Sequence, residues 1–173
     1  MPVFPADATD LTRLLVVSDL DRSIAWYRDV LGAELVGEYG GTSAVFRFVG
    51  CWLLLVTGGG PTADKPTVTM AAPADPDTTS AELIVAVPDC RAAHAELVHR
   101  GASFLAAPVG YPWEIRAFFR DPDGHLFEIS ERKPRVARPV PRSRRAPESP
   151  GARSRISIAG TRSGPNGGRM ARV

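Results

Sequence analysis

The chain has 173 residues, 44% of them hydrophobic, which is enough for one domain with a buried core. No window approaches the ~18 apolar residues of a membrane span, and residues 1–10 lack the basic and apolar segments of a signal peptide. The net charge of +2 divides into −7 for residues 1–133 and +9 for residues 134–173. The two cysteines, Cys51 and Cys90, do not form a disulfide framework, so we expect a reducing, cytoplasmic location.

The first half of the chain predicts one helix and four strands. Apolar residues at helical spacing predict a helix over residues 22–31, which follows the potential cap Asp19 and stops at Gly32. Short apolar runs separated by glycines predict the strands, which are residues 11–17, 33–39, 43–49 and 51–57. The order is therefore strand, helix and three strands.

The second half repeats this order after a linker rich in Gly, Pro and Thr. Residues 81–87 predict a strand, residues 89–100 a helix that stops at Gly101, and residues 102–106, 114–119 and 125–131 three strands. The last two strands flank a tight Asp-Pro-Asp-Gly turn. The shared order indicates an internal repeat. We therefore predict module 1 over about 11–58, a linker over about 59–79 and module 2 over about 80–133.

The basic C-terminal segment has a different composition. Residues 134–173 contain ten arginines and no aromatic residue, which predicts a disordered tail. Such a tail could contact nucleic acid non-specifically through phosphates, but it lacks the aromatic platforms of a sequence-specific binder. An extension without a function is the simpler interpretation.

Two segments carry a family resemblance. Residues 17–27, with the sequence VSDLDRSIAWY, and residues 118–129, with the sequence FFRDPDGHLFEI, resemble the opening and closing motifs of the vicinal oxygen chelate superfamily. Its members include glyoxalase I, extradiol dioxygenases and bleomycin-binding proteins. The resemblance covers about residues 11–133 and implies an α+β fold in which two tandem βαβββ modules form a cup-shaped sheet. It also implies a homodimer.

The resemblance implies four metal-ligand positions, of which this sequence fills two. The positions fall on Thr12, near Leu55, on Glu82 and on Glu128. Only the two glutamates suit a divalent ion such as Mn, Mg, Ni, Zn or Fe. The sequence therefore predicts no definite cofactor, although a divalent metal is the candidate. Glu128 is the candidate for any catalytic role.

The expected function is the binding of a small organic molecule in the cup, without the full metal set. Apolar walls with a few polar groups are typical of such sites. The candidate ligand-binding residues are Thr12, Trp52, Trp113, Arg116 and Phe119. The alternative is a divalent-metal-dependent lyase or isomerase of the glyoxalase type, or a dioxygenase. Whether the protein is an enzyme stays open at this stage.

Overall fold

The computed structural model describes residues 10–133, so the predictions for residues 1–9 and for the basic tail lie outside the described residues. Two helices and nine strands form the repeat. In chain order they are β1 Thr12–Val17, α1 Leu20–Asp29, β2 Glu34–Tyr39, β3 Ser43–Phe48, β4 Cys51–Thr57, β5 Glu82–Ala86, α2 Cys90–His99, β6 Ser103–Phe104, β7 Val109–Gly110, β8 Glu114–Arg120 and β9 Leu126–Arg132. No helix of this part of the chain is long and apolar enough to cross a membrane.

The helix ends follow the expected chemistry, although α1 begins two residues before the predicted start. The Asp19 carboxylate accepts the backbone N–H of Arg22 at 3.0 Å, and Asp89 accepts two N–H groups in the same way at the start of α2. Gly32 has φ of +76° after α1, a conformation that other residues adopt only with strain. The strand predicted over 102–106 is reduced to β6, and the additional short strand β7 also pairs with β8.

Each module forms its own sheet. The first sheet has the order β1-β4-β3-β2, and the second has the order β5-β9-β8-β6, with β7 also paired to β8. In both sheets the strand before the helix pairs in parallel with the last strand of the module, and the other pairs are antiparallel. The predicted α+β fold of two βαβββ modules is confirmed.

The two sheets share one hydrophobic core, with α1 between them. The ring of Tyr27 lies 6.0 Å from Phe46 on β3 and 6.2 Å from Phe127 on β9. If the sheets lay side by side through β1 and β5, β3 and β9 would be four strand spacings apart, about 19 Å. The single ring of Tyr27 contacts residues on both strands, so the two strands are not separated by that distance. The two sheets are therefore stacked with their helix-bearing faces together.

The two motifs that carry the family resemblance meet in space around one carboxylate. Asp123, in the tight turn before β9, accepts the backbone N–H and the hydroxyl of Ser18. It also accepts the Ser23 hydroxyl at 3.1 Å and pairs with the Arg22 guanidinium at 3.0 Å. These hydrogen bonds outweigh the burial of Asp123 and hold the pKa of its carboxyl below the usual range. The turn of module 2 is thus attached to the start of α1 in module 1.

A second carboxylate of the same turn is buried below the first. Asp121 accepts the Tyr27 hydroxyl at 2.7 Å and the backbone N–H groups of Asp123 and His125. Burial nevertheless raises the pKa of Asp121, and it also raises the pKa of Tyr27, beside this carboxyl. The hydrogen bond therefore joins a fully buried phenol on α1 to the turn at the far end of the chain.

We expect Asp123→Ala to reduce the free energy of unfolding by about 2–4 kcal/mol, because it leaves several donors of module 1 without a charged acceptor. Urea denaturation at neutral pH would measure this loss. Since the Asp123 pKa is lowered on folding, its contribution is present above the unfolded pKa and is lost as the pH falls through the folded pKa.

Asp29→Ala is the matched control, because Asp29 is exposed and pairs only with its neighbour Arg28. Equal losses for the two variants would show that the attachment between the modules adds no stability.

Candidate functional site

Each sheet has a second face, here called its open face, which is turned away from the shared core. Side chains alternate along a strand, so residues next to buried core positions lie on this face. On the second sheet Phe127 and Ile129 enter the core, and Glu128 and Ser130 therefore occupy the open face. The neighbouring strands β5 and β8 place Glu82 and Arg116 on the same face.

The guanidinium of Arg116 lies among aromatic rings. It is 4.8 Å from the ring centre of Tyr111 and 5.3 Å from that of Phe118, distances that allow cation–π attraction. Trp113 extends the surface by stacking on Tyr111 at 5.9 Å. Glu114 also forms an ion pair with Arg116, at 3.3 Å. The result is a cationic group flanked by flat apolar surfaces.

A depression of about 180 Å³ adjoins this arginine. Its walls come from the β6–β7 connection and from β8. The lining residues are Leu105, Ala106, Ala107, Val109, Tyr111, Arg116, Ala117 and Phe118. Leu105 and Val109 are about half exposed although they are apolar. Apolar walls beside one charged group are typical of a small-molecule site.

Glu128 lies at the centre of the open face and is only 4% exposed. Its cross-strand neighbours are Ile84 on β5 and Phe118 on β8. Burial raises the pKa of the Glu128 carboxyl, and the negative charges of Glu82 and Glu114 raise it further, while Arg116 opposes them. The ionised form of the Glu128 carboxyl is therefore disfavoured in this site.

The open face of the first sheet is mainly aliphatic. Thr12 and Trp52 are register partners on β1 and β4, and the positions that follow on the same face are Leu14, Val16, Leu54 and Val56. The Arg47 guanidinium lies 3.8 Å from the ring centre of Trp52. This face therefore repeats the pairing of an arginine with an aromatic ring.

The structure brings most candidate residues into two groups. Trp113, Arg116, Glu82 and Glu128 belong to the open side of the second sheet, and Thr12 and Trp52 lie together on the first. Because the sheets are stacked through their inner faces, the two groups face away from each other within one chain. A single copy does not assemble all of the candidates into one site.

The expectation for Phe119 as a ligand-binding residue is wrong. Its side chain has no exposed surface, lies in the shared core and stacks on Phe127 at 5.3 Å. Strand alternation gives the open-face position to its neighbour Phe118. Leu55 is likewise fully buried in the core, so the fourth-strand position of the resemblance falls on the open-face residues Leu54 and Val56.

The residues present do not fit a complete divalent-metal centre. Of the open-face residues on β1, β4, β5 and β9, only Glu82 and Glu128 are metal donors of the expected kind, and both come from module 2. Within residues 10–133 no group of three or more His, Cys, Asp or Glu side chains could hold an ion.

Three polar residues of the site were missed by sequence reasoning. They are Glu114, which pairs with Arg116, Ser130, whose hydroxyl donates to Glu114 at 3.1 Å, and Arg47. Strand alternation from Glu128 could have found Ser130, because the two residues share a face at a spacing of two. The pairing of Glu114 with Arg116 depends on side-chain conformation, for which the sequence carries no signal.

The family model of the Glyoxalase/Bleomycin resistance protein/Dioxygenase superfamily matches residues 10–129. The match covers more than half of the chain, so the protein belongs to this superfamily. No curated protein sequence matches the chain significantly.

Solved structures show the same fold. A glyoxalase/bleomycin resistance protein/dioxygenase from Nocardioides is 25% identical, with a TM-score of 0.59, over 72% of this chain and 83% of that one. TioX from Micromonospora sp. ML1 is 23% identical, with a TM-score of 0.58, over 73% and 100%. TnmS3, an antibiotic-binding protein from Streptomyces sp. CB03234, is 22% identical, with a TM-score of 0.55, over 74% and 98%.

We expect Glu128→Gln to stabilise the protein at neutral pH and to have little effect at a pH below the ordinary range of glutamate. The Glu128 pKa is raised on folding, so the wild-type protein loses stability as the pH rises from the unfolded to the folded pKa. A protein with a neutral amide of the same shape does not undergo this loss of stability. Thermal denaturation of both proteins across this pH range would measure the difference.

Glu38→Gln is the matched control, because Glu38 is an exposed glutamate on β2. A Glu128→Gln protein that is less stable than the wild type at neutral pH would show that Glu128 is held as a favourable anion.

Proposed function

We propose that the protein binds a small aromatic organic molecule on the open face of the second sheet, without a resident metal. The observation that carries this proposal is Arg116, held beside Tyr111 and Phe118 at the mouth of an apolar depression. Aromatic rings offer stacking surface and the guanidinium offers directed N–H donors. TnmS3, which shares the fold, is described as an antibiotic-binding protein, and this supports the binding of a small molecule here.

We also propose that a second copy of the chain completes the site. The open face of the first sheet exposes Leu14 at 38% and that of the second exposes Ile84 at 53%. β1 and β5 each stand at the edge of a sheet in the order of strands. Two-fold pairing would bring the first sheet of one copy onto the second sheet of the other and form a cup between them, as in the expected homodimer.

The free thiols support a reducing compartment, and we place the protein in the cytoplasm on that ground. Cys51 is exposed and Cys90 is buried, and neither is part of a disulfide. Oxidising compartments favour pairing of cysteines in small domains.

The alternative function is that of a metal-dependent lyase, isomerase or dioxygenase of the same superfamily. The observation that favours it is the closeness of Glu82 to Glu128, since the charge of Glu82 raises the pKa of Glu128 and a bound cation would offset this repulsion. Two carboxylates would leave most coordination positions of a divalent ion to water or to the ligand. The two functions therefore differ in whether ligand binding requires a metal.

We expect the chelator-treated full-length protein to bind anilinonaphthalene sulfonate (ANS), an aromatic sulfonate whose fluorescence rises in apolar sites. Arg116→Ala should weaken this binding by about tenfold, because it removes a charge-assisted contact with the sulfonate. Fluorescence titration measures both dissociation constants. Arg91→Ala is the matched control, since Arg91 is an exposed arginine at the start of α2.

The same titration is then repeated with excess Mn²⁺. Binding that appears only with the metal, and disappears in Glu128→Ala, would replace the proposal by the metal-dependent alternative. Equal binding by the Arg116 and Arg91 variants would place ANS elsewhere and contradict the proposed site.

We expect Leu14→Glu to dissociate the homodimer, because it places a charge in the proposed contact between the two open faces. Light scattering should give twice the chain mass for the wild type and a single chain mass for the variant. Val98→Glu, at a similarly exposed apolar residue on α2, is the control. A wild-type protein that is monomeric at all concentrations would contradict the proposal.

A further inference from the structure

We infer that the ligand is an aromatic dianion, a flat ring that carries one doubly charged acid group such as a phosphate monoester, and that Arg116 and Arg132 bind this group together. This inference rests on the proposed small-molecule function and names the chemical class of the ligand. It is carried by a cavity at one end of the second sheet, where cationic side chains adjoin a stacked pair of aromatic rings.

The cavity has a volume of about 430 Å³ and lies where β8 begins and β9 ends. Its described lining residues are Trp113, Glu114, Arg132 and Lys133. The volume falls within the range of small-molecule sites. Trp113 stacks on Tyr111, and Glu114 pairs with Arg116. Tyr111 and Arg116 line the depression described above, so the two cavities are neighbours on the second sheet.

Arg132 is an exposed arginine that follows Glu128 and Ser130 on the open face of β9, at a spacing of two residues. Its cross-strand neighbour is Glu114. Both carboxylate oxygens of Glu114 have other partners, because one contacts Arg116 at 3.3 Å and the other accepts the Ser130 hydroxyl at 3.1 Å. The ion pairs formed among residues 10–133 do not include Arg132. Its guanidinium can therefore bind an acid group of a ligand.

Arg116 provides a second guanidinium on the same face. Glu114 contacts only its Nη1 atom, and the side chain is 36% exposed. Arg116 is the cross-strand partner of Ser130, and Arg132 lies two residues further along β9. The two arginines are therefore diagonal neighbours with Cα atoms about 7–8 Å apart. Two long side chains at this spacing can reach one phosphate, whose terminal oxygens accept from both guanidinium groups.

The balance of charge at this end of the sheet favours two negative charges over one. Arg116, Arg132 and Lys133 carry three positive charges and Glu114 carries one negative charge, which leaves an excess of two. Glu128 is four residues from Arg132 along β9, about 13 Å away, on the far side of Arg116. The space between the two arginines therefore stays positive whether or not Glu128 is ionised.

The aromatic part of the ligand is indicated by the stacked rings beside these charges. Trp113 is 58% exposed although it is a large aromatic residue, and its ring lies 5.9 Å from that of Tyr111. Lys133 holds both residues in place, because its ammonium donates to the Tyr111 carbonyl at 2.8 Å and its backbone N–H donates to the Trp113 carbonyl at 3.0 Å. An exposed indole fixed in this way offers a stacking surface at a small cost in entropy.

Four compounds separate the ring from the charge. At about pH 8 naphthyl phosphate has a ring and two charges, and inorganic phosphate has the charges without a ring. Naphthalenesulfonate, substituted at the same ring position, has one charge, and naphthalenesulfonamide has none. Displacement of ANS from the chelator-treated full-length protein gives each affinity. We expect naphthyl phosphate to bind about tenfold more tightly than naphthalenesulfonate or inorganic phosphate, and the sulfonamide to bind more weakly than the sulfonate.

Arg132→Gln assigns the second charge to a residue. It should reduce the preference for naphthyl phosphate over naphthalenesulfonate from about tenfold to less than about threefold, because one guanidinium balances only one charge. The ANS affinity of each variant is measured first, so that displacement by the two compounds can be converted to affinities. Arg91→Gln, at an exposed arginine on α2, is the matched control and should leave the preference unchanged.

Each other result contradicts a distinct claim. If ANS binds but naphthyl phosphate is no better than naphthalenesulfonate, the dianion is wrong and the proposed function stands. If neither ANS nor any naphthyl compound binds, the proposed function itself fails. A preference for naphthyl phosphate that survives Arg132→Gln would place the second charge elsewhere, for example on the arginines of residues 134–173, and would overturn the inference. Inorganic phosphate that binds as tightly as naphthyl phosphate would overturn it as well, because the site would then select the anion without the ring.

Discussion

The attachment of the Asp123 turn to the start of α1 determines which surfaces of this protein are available for binding. The carboxylate gathers donors from Ser18, Arg22 and Ser23 across about a hundred residues of sequence. It holds the inner faces of the two sheets together, and Tyr27 fills the space between them. Both open faces are consequently directed away from the shared core.

This arrangement separates the structural residues of the family motifs from the functional ones. Asp121, Asp123 and Tyr27 account for much of the resemblance, and all three serve the contact between the modules. The motifs therefore predict the fold well and the reaction poorly, because function depends on the residues of the site rather than on the fold.

The fold could be predicted from sequence because its determinants are local or repeated. Asp19 and Asp89 begin the helices, and the Asp-Pro-Asp-Gly turn sets the register of β8 and β9. The open face was harder to assign. Phe118 and Phe119 are chemically identical neighbours, and only the register of β8 decides that one enters the core and the other lies on the open face. Side-chain pairs such as Glu114 with Arg116 depend on tertiary geometry and leave no sequence signal.

Glu128 is the residue whose position fits least well with stability alone. A leucine there would bury more favourably between Ile84 and Phe118, and it would avoid the repulsion by Glu82. A buried carboxylate beside other carboxylates carries an electrostatic cost, which protonation or a nearby cation can relieve. Glu128 therefore lowers the stability of the free protein, as is expected of a residue that serves a binding surface rather than the core.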